Sequence, residues 1–197
     1  MFEDIVVKKE KELRAKNLNE LRENLDSSDN TFKIQKYAEK FGFLAEEIKD
    51  RIKSDDLVAS FFAKDPSKQN FTEHLVAELL NTKTMPQQGK NCIRFDENGD
   101  MCSVKKPNTS KSVDFHINNT YITQKYTRSA GGAQDNQYAD VVDFLIKGSK
   151  KNKVAAIVDG SYWNEGKRDE LKEYFKSNDN VQILSMDDIL NGGAQIE

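Results

Sequence analysis

One short run constrains the fold of this chain more than any other. From Lys153 to Gly160 it reads KVAAIVDG, a continuous apolar segment ending in an acid and a glycine. A strand with one wet face alternates apolar and polar residues, whereas an unbroken apolar run suits a central strand covered on both faces. The neighbouring segments must supply that cover. Upstream, AQDNQYADVVDFLIKG (133–148) has helical spacing, with Tyr138, Val141, Val142 and Leu145 as its apolar stripe. Downstream, EGKRDELKEYFKS reads as a helix, VQILS as a strand and MDDIL as a short final helix.

Two hairpin signals precede this part. CIRF and MCSV flank Asn98-Gly99, and SVDFHI and TYITQKYT flank Asn118-Asn119. Before them FTEHLVAELL is an amphipathic helix, with Phe71, Leu75, Val76 and Leu79 on one side. Helix, antiparallel hairpins, helix, strand, helix, strand predicts an α/β fold with a mixed β-sheet flanked by helices. The hairpins argue against a doubly wound sheet, so Asp159 does not read as a nucleotide-binding acid. Gly131-Gly132 is a phosphate cradle or a hinge, and no Walker lysine accompanies it. SYW (161–163) reads as a lid over the core.

Residues 1–62 read as an N-terminal helical extension, for dimerisation or DNA contact, ahead of an α/β core over 63–197. Leu13, Leu18, Leu21 and Leu25 mark the first helix, and DSSDNT breaks it. FKIQKYAEKFGFLAEEIKDRIK (32–53) reads as helix, turn and helix, with Ala38 as the small residue, Gly42 as the turn and Ile48 as the core anchor. Glu46, Glu47 and Asp50 on the second helix repel phosphate, which favours packing or a dimer surface over DNA contact.

Charged residues are 32% of the chain and mean hydropathy is -0.77. No apolar run approaches the roughly 20 residues of a membrane span, and the start lacks the pattern of a signal peptide. Cys92 and Cys102 therefore read as reduced thiols, and the expected location is cytoplasmic. The formal net charge of -3 means that any nucleic-acid contact uses a local basic patch. Lys105, Lys106 and Lys111 form one such patch. His74 and His116 are too few and too far apart for a zinc site.

A two-residue turn at Asn118-Asn119 pairs Ile117 with Thr120, His116 with Tyr121, Phe115 with Ile122 and Asp114 with Thr123. Alternation along the strand puts Asp114, Thr123 and Lys125 on one face and turns Gln124 to the other. An acid, a hydroxyl and a lysine so clustered suit metal-assisted phosphodiester cleavage. A hard cation takes oxygen ligands, here Asp114 and the backbone carbonyl of Gln124. The lysine orients the attacking water or stabilises developing charge. Arg128 follows on a flexible TRSAGG segment, and the next helix presents Gln134, Asn136, Gln137 and Tyr138 to hold a DNA backbone.

These segments, over residues 70–193, resemble the PD-(D/E)XK nuclease superfamily, and most the restriction endonucleases similar to the FokI cleavage domain. The resemblance rests on Asp114, ITQKYTRSAGG with Lys125, AAIVDGSYW, and ILSMDDILNGG. FTEHLVAELL matches the family's first core helix and puts Glu73 where a glutamate often helps bind metal. QDNQY matches the glutamine-to-tyrosine spacing of RecB-type nucleases, over Gln134 and Tyr138. The resemblance implies a type II restriction enzyme acting on double-stranded DNA with Mg2+, or Mn2+ in its place. It also implies a homodimer and a DNA methyltransferase in the same system. Thr123 departs from the pattern, which expects Asp or Glu there. Glu73, Glu78 or Asp135 supplies the missing charge, or metal binding is weak, or the chain is an inactive DNA-binding protein on a nuclease-like fold.

Overall fold

The computed structural model describes residues 1–128 and 134–197, without the side chains of Gln134 and Glu165. The chain divides into a helical unit, Glu3–Phe71, and an α/β unit of Thr72–Glu197 with Met1–Phe2.

The helical unit contains α1 (Phe2–Glu23), α2 (Ser28–Phe41), α3 (Ala45–Ser54) and α4 (Asp56–Phe62). Its core joins Leu21 and Leu25 to Ile34, Ala38, Ile48, Ile52 and Ala59. The break after α1 forms where the sequence expects it, and Ser27 caps α2 by accepting the N–H of Asn30. Gly42 ends α2 at φ 73° and donates its N–H to the Ala38 carbonyl; a side chain there would strain the left-handed backbone. Asn17 is buried on α1 and donates to the Lys64 carbonyl at 2.7 Å and to Gln69 Oε1 at 2.8 Å. Asp55 caps α4, accepting from the N–H groups of Leu57 at 2.8 Å and Val58 at 3.3 Å. Replacing Asp55 by Ala is expected to cost about 1 kcal/mol. Urea unfolding followed by circular dichroism measures it; an unmoved midpoint would show that the cap contributes nothing.

The α/β unit begins with α5 (Phe71–Leu79). A small ribbon follows, β1 (Arg94–Phe95) against β2 (Met101–Cys102). Next come β3 (Phe115–Ile117), β4 (Thr120–Tyr126), α6 (Gln134–Gly148) and β5 (Lys153–Asp159). A π-helical turn, Trp163–Lys167, leads into α7 (Arg168–Tyr174), β6 (Val181–Leu184) and α8 (Met186–Leu190). The main sheet has the order β3-β4-β5-β6. The β3–β4 pair is antiparallel and the other two pairs are parallel, so the unit is mixed α/β.

The apolar run is β5, between β4 and β6, and Val154 through Asp159 are all buried. The parallel strands put crossover helices over the sheet, and α6 lays Val141, Phe144 and Leu145 into the core with Phe95, Trp163 and Leu171. Phe144 is the largest of that stripe and was not part of the expected set; Tyr138 and Val142 are only partly covered. On α5 the buried residues are Leu75, Val76 and Ala77. Of the SYW segment expected to cover the core, Tyr162 and Trp163 are buried members of the core itself and Ser161 is exposed. His116 stacks on Tyr121 at 4.4 Å.

SVDFHI is a strand only in its last part. Ser110 and Val113 donate their N–H groups to the carbonyls of Phe95 and Ile93, each at 2.8 Å. These residues therefore follow β1, and the chain turns to β4 only from Asp114 onward. Cys102 lies across from Arg94 rather than from Cys92, and both thiols are free. No helix among the described residues is long and apolar enough to cross a membrane.

Candidate active site

The hairpin register decides the site. Phe115 pairs with Ile122, His116 with Tyr121 and Ile117 with Thr120, and the Asp114 N–H reaches the Ile122 carbonyl at 2.8 Å. Asp114 is thereby fixed one step beyond β3, beside Thr123. Its carboxylate is 5% exposed and is held by donors on both oxygens. Oδ2 accepts from the Gln124 backbone N–H at 2.7 Å and from Thr123 Oγ1 at 3.2 Å, and Lys125 Nζ lies 3.7 Å away. The expected cluster of acid, hydroxyl and lysine assembles.

Gln124 contributes through its backbone. In an extended strand the N–H and C=O of one residue leave by the same edge, so its carbonyl leaves on the edge that faces Asp114. Its side chain is buried, and its Nε2 has no hydrogen-bond partner among the described residues.

Glu73, in the first turn of α5, belongs to the same cluster. Burial, and then the Asp114 carboxylate, push it up to about 7, while Lys125 pulls in the opposite direction. A buried carboxyl whose ionisation is opposed by a neighbouring carboxylate is a setting that a cation relieves. Among the described residues no group of three or more His, Cys, Asp or Glu side chains converges as a metal site. The anionic oxygens are those of Asp114 and Glu73. Of the other acids considered for the missing charge, Asp135 takes the Tyr162 hydroxyl at 3.5 Å, and Glu78 is exposed.

One member of the site carries no sequence signal. Gln87, in the loop between α5 and β1, donates from Nε2 to Asp114 Oδ1 at 3.1 Å, while its Oε1 accepts from the Ser112 hydroxyl. Met85 donates its N–H to the Asp114 carbonyl at 2.8 Å. This loop is therefore tied to both the backbone and the side chain of the acid.

The residues expected to hold DNA are spread more widely. Arg128 is exposed and donates from Nε to the Tyr126 hydroxyl at 2.9 Å, with its guanidinium 5.5 Å over that ring. Lys111 lies 3.5 Å from Asp140. Asn136 is exposed on α6. Gln137 is half-buried and accepts from Thr127 Oγ1 at 2.7 Å, and the same Thr127 oxygen accepts from Trp163 Nε1 at 3.3 Å. Tyr138 packs near Trp163 at 6.1 Å, with Lys167 Nζ 5.4 Å over its ring. Gln137 thus ties α6 to Thr127 just past β4, and Tyr138 packs α6 against the turn that follows β5. The Gln134 side chain and Gly131-Gly132 lie outside the described residues.

Asp159 closes β5 and receives the Met186 N–H on both oxygens at 3.2 Å. Burial pushes its carboxyl up to about 7, against the Met186 hydrogen bond and Arg168. A folded-state pKa above the ordinary 3.8 means that the folded chain binds the proton more tightly. This contribution is complete below about pH 4 and is lost as pH rises through about 7. Asp159→Asn is expected to remove this pH dependence, so that its stability relative to wild type rises by on the order of 2–4 kcal/mol as pH goes from about 5 to 8. Urea unfolding across that range measures the difference; parallel curves would contradict the assignment.

Comparison of the chain with protein-family models, with curated proteins and with solved structures finds no match.

Proposed function

We propose that the α/β unit is a restriction-endonuclease-like core and that the protein is a site-specific DNA endonuclease. Its reaction would be hydrolysis of phosphodiester bonds in double-stranded DNA with Mg2+, for which Mn2+ can substitute. The observation that carries this reading is the cluster of Asp114, Thr123 and Lys125 at the open end of the β3–β4 hairpin, with Glu73 beside it. The donor set is made of hard oxygens, two carboxyls and a backbone carbonyl, which fits a hard divalent cation. Asp114 and Glu73 would hold it, with the Gln124 carbonyl completing the protein ligands. Bound there, the cation supplies Lewis acidity toward a phosphoryl oxygen.

The protein's own groups have distinct tasks in this reading. Lys125 brings a positive charge beside Asp114 and acts on the attacking water and on the charge that develops on the phosphate. Thr123 and the Gln124 N–H fix the orientation of Asp114, and Gln87 holds its other oxygen. Arg128, Lys111, Asn136 and Gln134 are the proposed contacts to the DNA backbone. Cutting both strands with one site per chain calls for a two-fold homodimer. A cognate DNA methyltransferase in the same cytoplasmic system would protect the host's sites.

Incubating plasmid and genomic DNA with the protein in Mg2+, Mn2+ or EDTA tests this directly. Discrete fragments that need the metal are the expected result, and intact DNA in both metals is the opposing one. Thr123 favours a second reading, because its hydroxyl stands where a further carboxylate would strengthen metal binding. In that reading the chain binds DNA without cutting it, and a gel shift in EDTA with no cleavage in either metal would select it.

A further inference from the structure

Arg94 on β1 is 8% exposed, so its guanidinium is largely removed from water. Nη1 donates to the Ser110 carbonyl at 3.2 Å and Nη2 to the Gln87 carbonyl at 3.1 Å. Among the described residues it forms no ion pair with a carboxylate. A buried charge without a counter-charge is costly, and a planar guanidinium with N–H groups to spare is shaped for an oxyanion.

The surroundings supply room and charge. Arg94 lines a groove of about 370 Å3 together with Lys105, Lys106 and Lys111 and with Asp140 and Asp143 of α6. The two acids are engaged, Asp140 with Lys111 at 3.5 Å and Asp143 with Lys147 at 2.6 Å. Lys106 also acts on Asp96, but that carboxylate is already satisfied by the N–H groups of Asn98 and Asp100. Even with Asp96 counted beside Asp140 and Asp143, four cations face three carboxylates, and the groove is net positive.

Its position relative to the acid cluster is set by one residue. The Gln87 whose carbonyl takes Arg94 is the Gln87 whose amide holds Asp114 Oδ1. We infer that this groove binds a backbone phosphate of double-stranded DNA next to the bond that is cut. Arg94 is the buried anchor, and Lys105 and Lys106 are the rim. The choice of DNA as the source of the phosphate rests on the nuclease reading. The coupling through Gln87 makes an occupied groove part of what positions Asp114.

The test separates this groove from the catalytic claim by reading binding rather than cutting. Fluorescence anisotropy follows a labelled duplex of about 20 base pairs in EDTA, over about 50 to 200 mM KCl. Full-length wild type is compared with the double variant Lys105→Ala, Lys106→Ala, which changes exposed side chains only. The double variant is expected to bind about tenfold more weakly, with the slope of log K against log salt smaller by about 1–2. Equal affinity and slope would overturn the groove assignment, whether or not the wild type cuts DNA. A reduced slope in a protein that never cuts would keep the groove and remove the nuclease. Arg94→Gln, with its fold checked by circular dichroism, is expected to weaken binding further. Inorganic phosphate in a thermal-shift assay is the second probe. Stabilisation of wild type but not of Arg94→Gln, with no duplex binding, would overturn DNA in favour of a free anion.

Discussion

Lys125→Ala is expected to slow DNA cleavage by roughly 10^3-fold, with little change in stability. Lys125 Nζ stands 3.7 Å from Asp114 Oδ2, and its side chain is 26% exposed, so truncation opens no cavity in the core. In the proposed reaction, what disappears is a positive charge where negative charge would accumulate on the phosphate. Losing one preorganised charge-stabilising group typically costs about 10^2–10^3 in rate. A lysine that also orients the nucleophile belongs at the upper end of that range. Single-turnover cleavage in Mg2+ measures the rate, and circular dichroism with thermal melting confirms the fold. An unchanged rate would remove Lys125 from the chemistry and leave it as a partner of a structural aspartate.

Gly160→Ala is expected to be the most damaging small substitution in the α/β unit. Gly160 leaves β5 at φ 96°, and a Cβ there would lie 2.2 Å from the Thr127 carbonyl oxygen and 2.9 Å from the Thr127 nitrogen. Those are backbone atoms at the end of β4, which itself is bonded to Asp159 through the Thr127 N–H at 2.9 Å. No rotamer relieves such an overlap, so either the β4–β5 edge separates or the π-helical turn shifts. A cost of about 3 kcal/mol or more follows from strain at a positive φ combined with overpacking. For a domain of this size that lowers the melting temperature by roughly 6–12 °C. Because the Thr127 hydroxyl also bonds Gln137 and Trp163, the damage extends to the packing of α6 and of the turn after β5 on this strand end. A melting temperature within about 2 °C of wild type would show that the strand end yields at little cost.

The part of the site built from local geometry was legible in the sequence. Ten consecutive residues around Asn118-Asn119 fix a register, and strand alternation then puts Asp114, Thr123 and Lys125 together without reference to the rest of the chain. The central position of KVAAIVDG was legible for a similar reason, since only a strand covered on both faces tolerates that run. Glu73 needed the resemblance, because its place beside Asp114 depends on how α5 packs many residues away. Gln87 was not legible: it sits in the loop NTKTMPQQGKN, which has no periodicity, and its role arises from loop closure onto Asp114. Arg94 lies in the short strand CIRF, where nothing in the sequence marks it as buried. Its burial arises from the loop segments around Ser110 and Gln87, whose carbonyls accept its guanidinium. The shortening of β3 was hidden as well, since SVDFHI alternates well enough to read as one strand while its first part follows β1.

Asp114 and Glu73 are proposed to bind a divalent cation together, beside Lys125. Mn2+ binding, followed by the loss of the free-ion paramagnetic resonance signal, tests it without any knowledge of the recognised DNA sequence. Wild type is predicted to bind Mn2+ in the millimolar range or tighter, with the affinity lost in Asp114→Asn and weakened in Glu73→Gln. Equal binding by all three proteins, or none by the wild type, would contradict the account.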